Sequence, residues 1–371
     1  MKPNINYNDP SPLYEQIKKN IKKKIESDEL KEGEKIGSNN ELARYYDVSL
    51  ITIKKAVSSL VADGVLYTRI GKGTYVASKN NWKLDHSKVR NLGLVIRNLN
   101  HPFFSMIIPN IEARANALGY NILISSSADN LVKEENQINH FKNLGVDGLI
   151  IASFSLEYRA TNYIKELHEQ NFPYIMISYM HDPNYWYVGS DHEYGAYLAT
   201  SHLAELGYKT IGYVHGGEKN ILGEVRRIGY EKAMVENDLP INRKNMFYLD
   251  PLEYDMARYE SGESIGKKFL KLKNRPRAMF IYSDSAALGF MSVLLENGIS
   301  IPGDVAVVGF NDIKIAQYSA VPLTTIHQPI DEIGKLAVDT IHKRINDEQA
   351  SSRIILKPSL VIRKSCGASQ K

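Results

Sequence analysis

Residues 38–76, SNNELARYYDVSLITIKKAVSSLVADGVLYTRIGKGTYV, decide the fold of the N-terminal part of the chain. Ser38 and Glu41 form an S-x-x-E capping box, which predicts a short helix that begins after Ser38. Ser49 can cap the next helix, and Gly64 is placed to end it. The pattern therefore predicts two helices joined by a tight turn.

The residues on either side of these helices complete a larger unit. Strands with alternating apolar residues are predicted at 65–69 and 74–77, and a glycine-rich turn at 71–73 joins them into a hairpin. Upstream, the Ser-Pro pair at 11–12 favours a helix start, and apolar residues recur along one face of residues 13–25. A helix, a helix-turn-helix and a β-hairpin together predict a winged helix-turn-helix.

The hairpin turn also has features of a phosphate-binding loop, because Lys72 stands between Gly71 and Gly73. A Walker loop needs Ser or Thr directly after the lysine, and a helix must follow it. Here Gly73 follows Lys72 and a strand comes next. We therefore interpret this turn as the tip of a wing, whose lysine would contact a DNA phosphate or the minor groove.

The distribution of charge agrees with binding of a polyanion by this segment. Residues 1–80 contain 14 Lys and Arg against 10 Asp and Glu, whereas the remaining 32 basic and 32 acidic residues cancel. The net charge of +4 is thus confined to the first fifth of the chain. Charge alone does not exclude an ordinary solvated, lysine-rich helix at residues 18–24.

Residues 11–77 resemble the GntR family of bacterial repressors. The matching segments are PLYEQIKKNI, EGEKIGSNNELARYYDVS, TIKKAVSSLVADGVL and IGKGTYV. The resemblance implies a dimer on a short palindrome, with the third helix in the major groove and the wings in the minor groove. The predicted DNA-binding residues are Ser38, Asn39, Asn40, Ser49, Leu50, Thr52, Lys54, Arg69, Lys72, Gly73 and Thr74.

The chain departs from the common GntR pattern at two arginines. The family usually has P-S-E-R where this chain has residues 37–40, Gly-Ser-Asn-Asn, and it usually has Ser-Arg where this chain has Ser49-Leu50. Asn39 and Asn40 can read adenine through paired hydrogen bonds, and Leu50 can pack on a thymine methyl group.

The remaining 290 residues alternate between short apolar runs and amphipathic stretches, which predicts parallel sheets buried on both faces. Their number favours two doubly wound lobes with a ligand cleft at the carboxyl ends of the strands. The predicted strands are LGLVI (92–96), NILIS (121–125), GLIIA (148–152), YIMIS (174–178), WYVGS (186–190), TIGYV (210–214), AMFIY (278–282) and VAVVGF (305–310).

Nearly all of residues 92–363 resembles the effector domain of the lactose/galactose repressor family, which is itself similar to periplasmic sugar-binding proteins. Matching segments include LGLVIRNLNHPFFSMIIPNIEARANALGYNILI, SDHEYGAYLATSHLAELGYKTIGYVHG and SDSAALGFMSVLLENGISIPGDVAVVGFND. A GntR-type head on such a body resembles the arrangement of arabinose-repressor-like regulators. The expected fold is α/β: a winged helix-turn-helix head at 1–79, a linker at 80–91, and a two-lobed effector-binding and dimerisation domain at 92–371.

The second resemblance also implies an effector site. Aromatic residues stack on the ligand in that family at the position of Phe103 and Phe104, although one of the two is expected to belong to the core. Arg226 takes the place of an arginine that holds ligand oxygens, and Asn311 stands where an acidic residue is usual. The predicted effector-binding residues are Asn98, His101, Phe103, Phe104, Ser178, Arg226, Ser283, Asp284 and Asn311. Pro322, Thr324 and Gln328 are expected to shape the passage between lobes instead of contacting the ligand.

Other classes of protein fit the sequence less well. GESIG at 262–266 matches the G-x-S-x-G hydrolase motif, but its surroundings predict a helix instead of the sharp turn that a nucleophile needs. The ten histidines have no metal-binding spacing, and the single Cys366 excludes an internal disulfide, so neither a metal nor another cofactor is expected. No apolar run is long enough to span a membrane, and no signal peptide is recognised, which argues against a transport binding protein and favours the cytoplasm.

Taken together, the two resemblances imply a homodimeric, ligand-controlled repressor of carbohydrate-use genes. Its partners would be double-stranded operator DNA and a small sugar, either a pentose or a hexose. A purine, nucleoside or sugar phosphate is the alternative effector, possible also as a co-repressor. An effector that releases the operator and one that promotes its binding are both compatible with the sequence.

The two missing arginines generate a prediction about the operator. Because asparagine pairs with adenine and leucine packs on thymine, we expect the operator half-sites to be rich in A·T pairs. Footprinting of the full chain on DNA selected from a random pool measures this directly. A GC-rich core in the protected sequence would contradict the prediction.

Overall fold

The structure is a computed structural model that describes residues 12–69, 72–78, 90–153, 160–177, 179–218, 220–249 and 257–368. The chain divides into two compact units between Val89 and Arg90. We call them the head and the body. Ile70, Gly71, Ser178 and most of the predicted linker lie outside the described residues.

The head is the winged helix-turn-helix that the sequence predicts. Its elements are α1 (Leu13–Glu26), α2 (Asn39–Tyr46), α3 (Leu50–Ala62), β1 (Leu66–Arg69) and β2 (Gly73–Val76). The two strands pair antiparallel. One apolar face from each of α1 and α3 fills the core, which contains Ile17, Ile21, Ile25, Ile53, Ala56, Val57 and Leu60.

The predicted caps of the two helices in the helix-turn-helix are confirmed. Ser38 Oγ accepts a hydrogen bond from Glu41 N at 3.3 Å, and Glu41 Oε2 accepts one from Ser38 N at 2.7 Å. Ser49 Oγ accepts from Thr52 N at 3.1 Å. The first helix differs slightly from expectation, because Pro12 is its cap and Leu13 its first helical residue.

The body consists of two lobes, each built on a six-stranded sheet. The N-terminal lobe has the strand order β13-β7-β6-β5-β3-β4, and all its strands are parallel. Its elements are β3 (Arg90–Ile96), α4 (Pro102–Ala117), β4 (Tyr120–Ser126), α5 (Leu131–Asn143), β5 (Gly148–Ile151), α6 (Asn162–Glu169), β6 (Tyr174–Met176), β7 (Tyr187–Ser190), α11 (Ile330–Ile345) and β13 (Arg353–Leu356).

The C-terminal lobe has the strand order β14-β12-β11-β10-β8-β9, and only the β12–β14 pair is antiparallel. Its elements are α7 (His192–Glu205), β8 (Ile211–His215), α8 (Ile221–Glu236), β9 (Met246–Tyr248), α9 (Ala257–Leu270), β10 (Ala278–Ile281), α10 (Asp284–Glu296), β11 (Ala306–Asn311), β12 (Thr324–His327) and β14 (Ser359–Val361).

The chain passes between the lobes three times. The passages follow β7, β12 and β13, so each lobe is assembled from separate parts of the sequence. Helix α11 illustrates this, because it follows a strand of the C-terminal lobe but packs against α4 in the N-terminal lobe. The two-lobed α/β fold predicted from the sequence is therefore confirmed, with strands close to the predicted positions.

Some elements differ from the sequence-based expectation. Strand β3 begins at Arg90, two residues before the predicted start of the body, because Arg90 and Asn91 continue the pairing with β4. Their polar side chains hid this part of the strand. Strands β9, β12, β13 and β14 were also not predicted. They have three or four residues each, and β9, β13 and β14 lie at sheet edges, where apolar periodicity is weak.

The third helix offers a matched test of which residues hold the head together. Ile53 is fully buried and Ile51 is 79% exposed, although both lie on α3 two residues apart. We expect Ile53→Ala to lower the free energy of unfolding of the head by about 2–5 kcal/mol. Ile51→Ala should change it by less than about 0.5 kcal/mol. Calorimetry of the full chain measures both, and equal losses from the two variants would contradict the packing described.

Candidate functional site

A cavity of about 100 Å³ lies in the body between the two lobes, at the carboxyl ends of their parallel strands. This is where doubly wound sheets bind ligands. Both lobes contribute to its wall. The lining residues are Arg97, His101, Pro102, Phe103, Phe104, Asp129, Ile177, Tyr179, Ser190, His192, Leu222, Arg226, Tyr282, Ser283, Ser285, Asn311, Gln328 and Ile333.

Arg226 is a buried polar group in the cavity wall, held by two aromatic rings and by hydrogen bonds. It projects from α8, is only 3% exposed, and its guanidinium carbon lies 3.6 Å from the centroid of the Phe310 ring. The ring of Tyr282 lies 4.5 Å from the same carbon, and Nη1 donates to the carbonyl oxygen of Tyr282. A guanidinium fixed in this way presents its planar donors in one orientation.

His192 is a neutral partner of this arginine. Arg226 Nη2 lies 3.3 Å from Nδ1 of His192, at the first residue of α7. Burial lowers the pKa of His192 well below its usual value, and the positive charge of Arg226 lowers it further. The imidazole is therefore uncharged at neutral pH, and its Nδ1 can accept a hydrogen bond from the guanidinium.

Two aromatic rings form part of the apolar wall. Phe103 and Phe104 lie in the first turn of α4, and their ring centroids lie 5.4 Å apart in an edge-to-face arrangement. His101 caps the same helix, because its Nδ1 accepts a hydrogen bond from Phe103 N at 3.1 Å. Phe104 is also part of the core, as expected for one member of the pair, and Phe103 is half-buried against that core.

Planar polar groups line other parts of the cavity. Arg97 Nε donates to Asp129 Oδ1 at 2.7 Å, so this arginine and carboxylate form an ion pair at the wall. Gln328 Nε2 donates to Asn311 Oδ1 at 2.9 Å. Asn311 has a φ of +117°, a backbone conformation that residues with side chains rarely adopt and that occurs preferentially at functional sites.

Ser190 ends β7 at the cavity and is 3% exposed. Among the residues described, no hydrogen-bond partner is found for its hydroxyl group. An unsatisfied buried hydroxyl costs free energy, so this group favours a ligand that offers a hydrogen-bonding atom.

The structure brings six of the nine predicted effector-binding residues to this cavity: His101, Phe103, Phe104, Arg226, Ser283 and Asn311. Asn98 is not among the lining residues, and its side chain accepts a hydrogen bond from Asn100 N within its own loop. Ser178 lies outside the described residues.

Asp284 requires a correction, because its carboxylate points into the lobe instead of lining the cavity. It is fully buried, and its two oxygens accept hydrogen bonds from Thr325 Oγ1 at 2.5 Å and from Ile313 N at 2.9 Å. Asp284 thereby ties α10 to β12 and to the loop after β11. Burial raises the pKa of this carboxyl to about 6.

Several cavity residues were missed from the sequence. Gln328 was expected to shape a passage between lobes, and it lies at that passage but also lines the cavity. Three of the missed residues lie at or just after the carboxyl end of a strand: Asp129, Ser190 and Tyr282. Since ligands bind at these strand ends, their position in the sequence could have identified them as candidates. The contribution of Arg97 follows from its position directly after β3.

The head presents a second candidate site on α3 and the wing. Lys54 and Leu50 are exposed on α3, whereas Thr52 is half-buried and its Oγ1 lies 2.7 Å from Oγ of Ser49. Ile51 is also exposed, although it was not among the predicted residues. These side chains lie in the first turns of the helix, the part of a recognition helix that meets base edges.

The wing supplies exposed cations beside a turn that needs glycine. The guanidinium of Arg69 lies above the stacked rings of Tyr67 and Tyr75, at 5.4 and 5.3 Å from their centroids. Lys72 is exposed, and Gly73 has a φ of +119°. A side chain at Gly73 would be strained and would also meet the Lys35 side chain. Thr74, the last predicted wing contact, is half-buried.

The N-terminus of α2, at the predicted DNA-binding residue Ser38, already has hydrogen-bonding groups in use. Ser38 is exposed, but its hydroxyl and backbone N–H are both used in the capping box with Glu41. These hydrogen bonds lower the pKa of Glu41, so a carboxylate occupies the position where an anion would bind. Asn39 is half-buried and Asn40 is exposed. We therefore expect α2 to contact DNA through its asparagine side chains more than through the backbone N–H groups at its N-terminus.

The described residues lack two features of other protein classes. Across the described ranges, no helix is long and apolar enough to cross a membrane, and no three His, Cys, Asp or Glu side chains form a possible metal site. The G-x-S-x-G motif lies within α9, as predicted, so Ser264 is on a helix and not at a strand-to-helix turn.

The comparisons with known proteins agree with both parts of the fold. Residues 13–76 match the family of bacterial regulatory proteins called the gntR family, and residues 200–366 match the periplasmic binding protein-like domain. The arabinose metabolism transcriptional repressor of Halalkalibacterium halodurans is 30% identical over 363 residues, which cover 95% of this chain and 96% of the relative. The chain therefore belongs to the family of transcriptional repressors that includes the Halalkalibacterium halodurans protein.

Other repressors and regulators share most of the architecture. The HTH-type transcriptional repressor PurR of Photobacterium profundum is 26% identical over 332 residues, covering 88% of this chain and 97% of that protein. The crystal structure of the transcription regulator GntR from Chromobacterium violaceum has a TM-score of 0.68 and 26% identity, and the match covers 75% of this chain and all of that one.

Asp284 gives the repressor a testable pH dependence. The folded state raises the pKa of this carboxyl from 3.8 to about 6, so it binds the proton more tightly than the unfolded state does. Its contribution to the free energy of unfolding is therefore greatest below pH 4 and falls by about 3 kcal/mol as the pH rises through 6.

Asp284→Asn removes this titration. Denaturation at pH 4–7 should show the free energy of unfolding of the wild type falling by about 3 kcal/mol relative to that of the variant as the pH rises. A wild-type value that stays constant or rises relative to the variant over this range would contradict the raised pKa of Asp284.

Proposed function

We propose that this repressor controls carbohydrate-use genes and that a small sugar, a pentose or a hexose, occupies the cavity of the body. The observation that carries the proposal is the composition of that cavity. Aromatic residues from the N-terminal lobe and Arg226 from the C-terminal lobe line the same cavity. The name of the Halalkalibacterium halodurans relative supports the same ligand class.

The chemistry of a sugar fits these groups. The C–H faces of a sugar ring are apolar and pack on aromatic rings, here Phe103 and Phe104, while its hydroxyl groups need hydrogen-bonding partners around the edge. Arg226 would donate to the hydroxyl oxygens. Asn311 and Ser190 would provide further polar contacts with the ring substituents. These assignments apply the geometry of the cavity to an uncharged ligand of monosaccharide size.

The head would bind operator DNA as one half of a homodimer. Exposed Lys54, Arg69 and Lys72 would contact phosphate oxygens, and the first turn of α3 would meet the base edges. Such binding releases counterions, so its affinity should fall steeply as the salt concentration rises. This role places the protein in the cytoplasm, and it requires no catalytic step or cofactor.

Binding of the sugar would favour closure of the two lobes, because the ligand contacts both. In a dimer, closure alters the contacts between the bodies and hence the match between the heads and the two half-sites. By linkage, the operator must change the sugar affinity by the same factor as the sugar changes the operator affinity. A coupling of about 1–3 kcal/mol corresponds to roughly 5- to 150-fold in each affinity.

A purine, nucleoside or sugar phosphate is the second candidate. It is supported by the similarity to proteins named PurR and by the presence of both Arg97 and Arg226 at the cavity. Arg97 already pairs with Asp129, which reduces the net charge available to a phosphate. The sugar is therefore the preferred ligand.

A thermal-shift screen of the full chain against pentoses, hexoses, their phosphates and nucleobases tests this function. A sugar present at 100 times its Kd should stabilise the body by about 2.7 kcal/mol and raise its Tm. Arg226→Lys should weaken the affinity for that sugar by roughly 10- to 100-fold, because a charge-assisted pair of hydrogen bonds is lost.

Arg227→Lys is the matched control for this variant. Arg227 neighbours Arg226 on α8, but it pairs with Glu224 and Glu231 and does not line the cavity. The Arg227→Lys variant should bind the sugar with the wild-type affinity. A Tm that responds to a purine or phosphate ester but to no sugar would refute the proposed ligand class.

A further inference from the structure

The outer face of α3 begins with two exposed aliphatic side chains. Leu50 is 38% exposed and Ile51 is 79% exposed. The opposite face of the helix is buried in the core of the head, so Ile51 shares the solvent face with Lys54 and Ser58, three and seven residues further along. Isolated exposed aliphatic residues are common on proteins, and their position on this particular helix is what makes these two informative.

The surroundings of this pair favour DNA over a protein partner. Lys54 is exposed one turn further along α3, and Arg69 and Lys72 are exposed on the wing of the same head. The first 80 residues also carry the whole positive excess of the chain. An apolar surface beside exposed cations matches the major groove, where phosphates flank the base edges.

Leucine and isoleucine have no polar side-chain atoms, so they can read only an apolar feature of a base pair. In the major groove the C5-methyl group of thymine is that feature, and it distinguishes thymine from the other bases. Ile51 exposes a larger fraction of its surface to solvent than Leu50 does. It can therefore bury more of a methyl group on contact.

We propose that Leu50 and Ile51 are specificity-determining residues that recognise thymine methyl groups in each operator half-site, with Ile51 as the main reader. The inference rests on the proposed function, since it requires that the head binds DNA. It goes beyond that function by assigning the recognition to two apolar contacts instead of to arginine–guanine pairs. It also identifies Ile51, which is not among the DNA-binding residues predicted from the sequence.

The test uses the full chain and an operator duplex that the wild type selects from random DNA. Each thymine of a half-site is replaced in turn by deoxyuridine, which pairs with adenine in the same way and lacks only the C5-methyl group. At the position read by Ile51, the loss of one buried methyl should weaken binding roughly fourfold at fixed salt. Fluorescence anisotropy measures the Kd of each duplex.

Variants separate this contact from general effects on affinity. Ile51→Ala should weaken binding to the thymine duplex and lose its sensitivity to deoxyuridine at that one position, whereas Ile51→Val should retain part of the sensitivity. Lys54→Ala is the matched control on the same face of α3. It should weaken binding to the thymine and deoxyuridine duplexes by the same factor. It should also reduce the slope of log affinity against log salt concentration by about one.

The outcomes distinguish the inference from the proposed function. If the wild type selects no sequence from random DNA, the DNA-binding function itself is refuted. If it selects an operator but every deoxyuridine duplex binds as tightly as its parent, or Ile51→Ala keeps the full sensitivity, methyl recognition by Ile51 is refuted. A loss of dimerisation by Ile51→Ala, with unchanged binding per head, would assign the pair to a protein contact and also overturn the inference.

Discussion

The three passages of the chain between the lobes are the constraint on which the body depends. Parallel strands place their carboxyl ends on one edge of a sheet, and the passages hold two such edges opposite each other. Residues near the passages, such as Ser190 and Gln328, consequently line the cavity. Arg226 is held within the C-terminal lobe, because Phe310 lies in β11 and Tyr282 directly follows the neighbouring strand β10.

How far the sequence predicts each site depends on the physical origin of the signal. The capping residues Ser38 and Ser49 act through hydrogen bonds to residues three positions away, so local sequence was sufficient to find them. Arg226 was found through its motif. The burial of Asp284, in contrast, depends on Thr325 and Ile313, which are 41 and 29 residues away, and no local pattern reports such a contact.

Contacts between polar residues of the cavity also join positions that are distant in the sequence, so local patterns do not predict them. Asp129 and Arg97 are 32 residues apart, and their ion pair forms only because β3 and β4 end side by side. Ile51 is a different case, since it is apolar but lies outside the buried face of α3 formed by Ile53, Ala56, Val57 and Leu60. Sequence periodicity gives the face of a helix, but it does not show why an apolar residue lies on the polar face.

The interleaved order of the lobes also affects how the protein is made. The head is complete in sequence by residue 78, and it can fold while the rest of the chain is still being synthesised. The N-terminal lobe cannot do so, because α11 and the edge strand β13 come from residues 330–356. A nascent chain would thus carry a finished DNA-binding unit before its sensor exists. A truncated product ending before residue 330 would retain the head but lack Ile333, and therefore a complete cavity wall, so its head would be separated from any control by a ligand in the body.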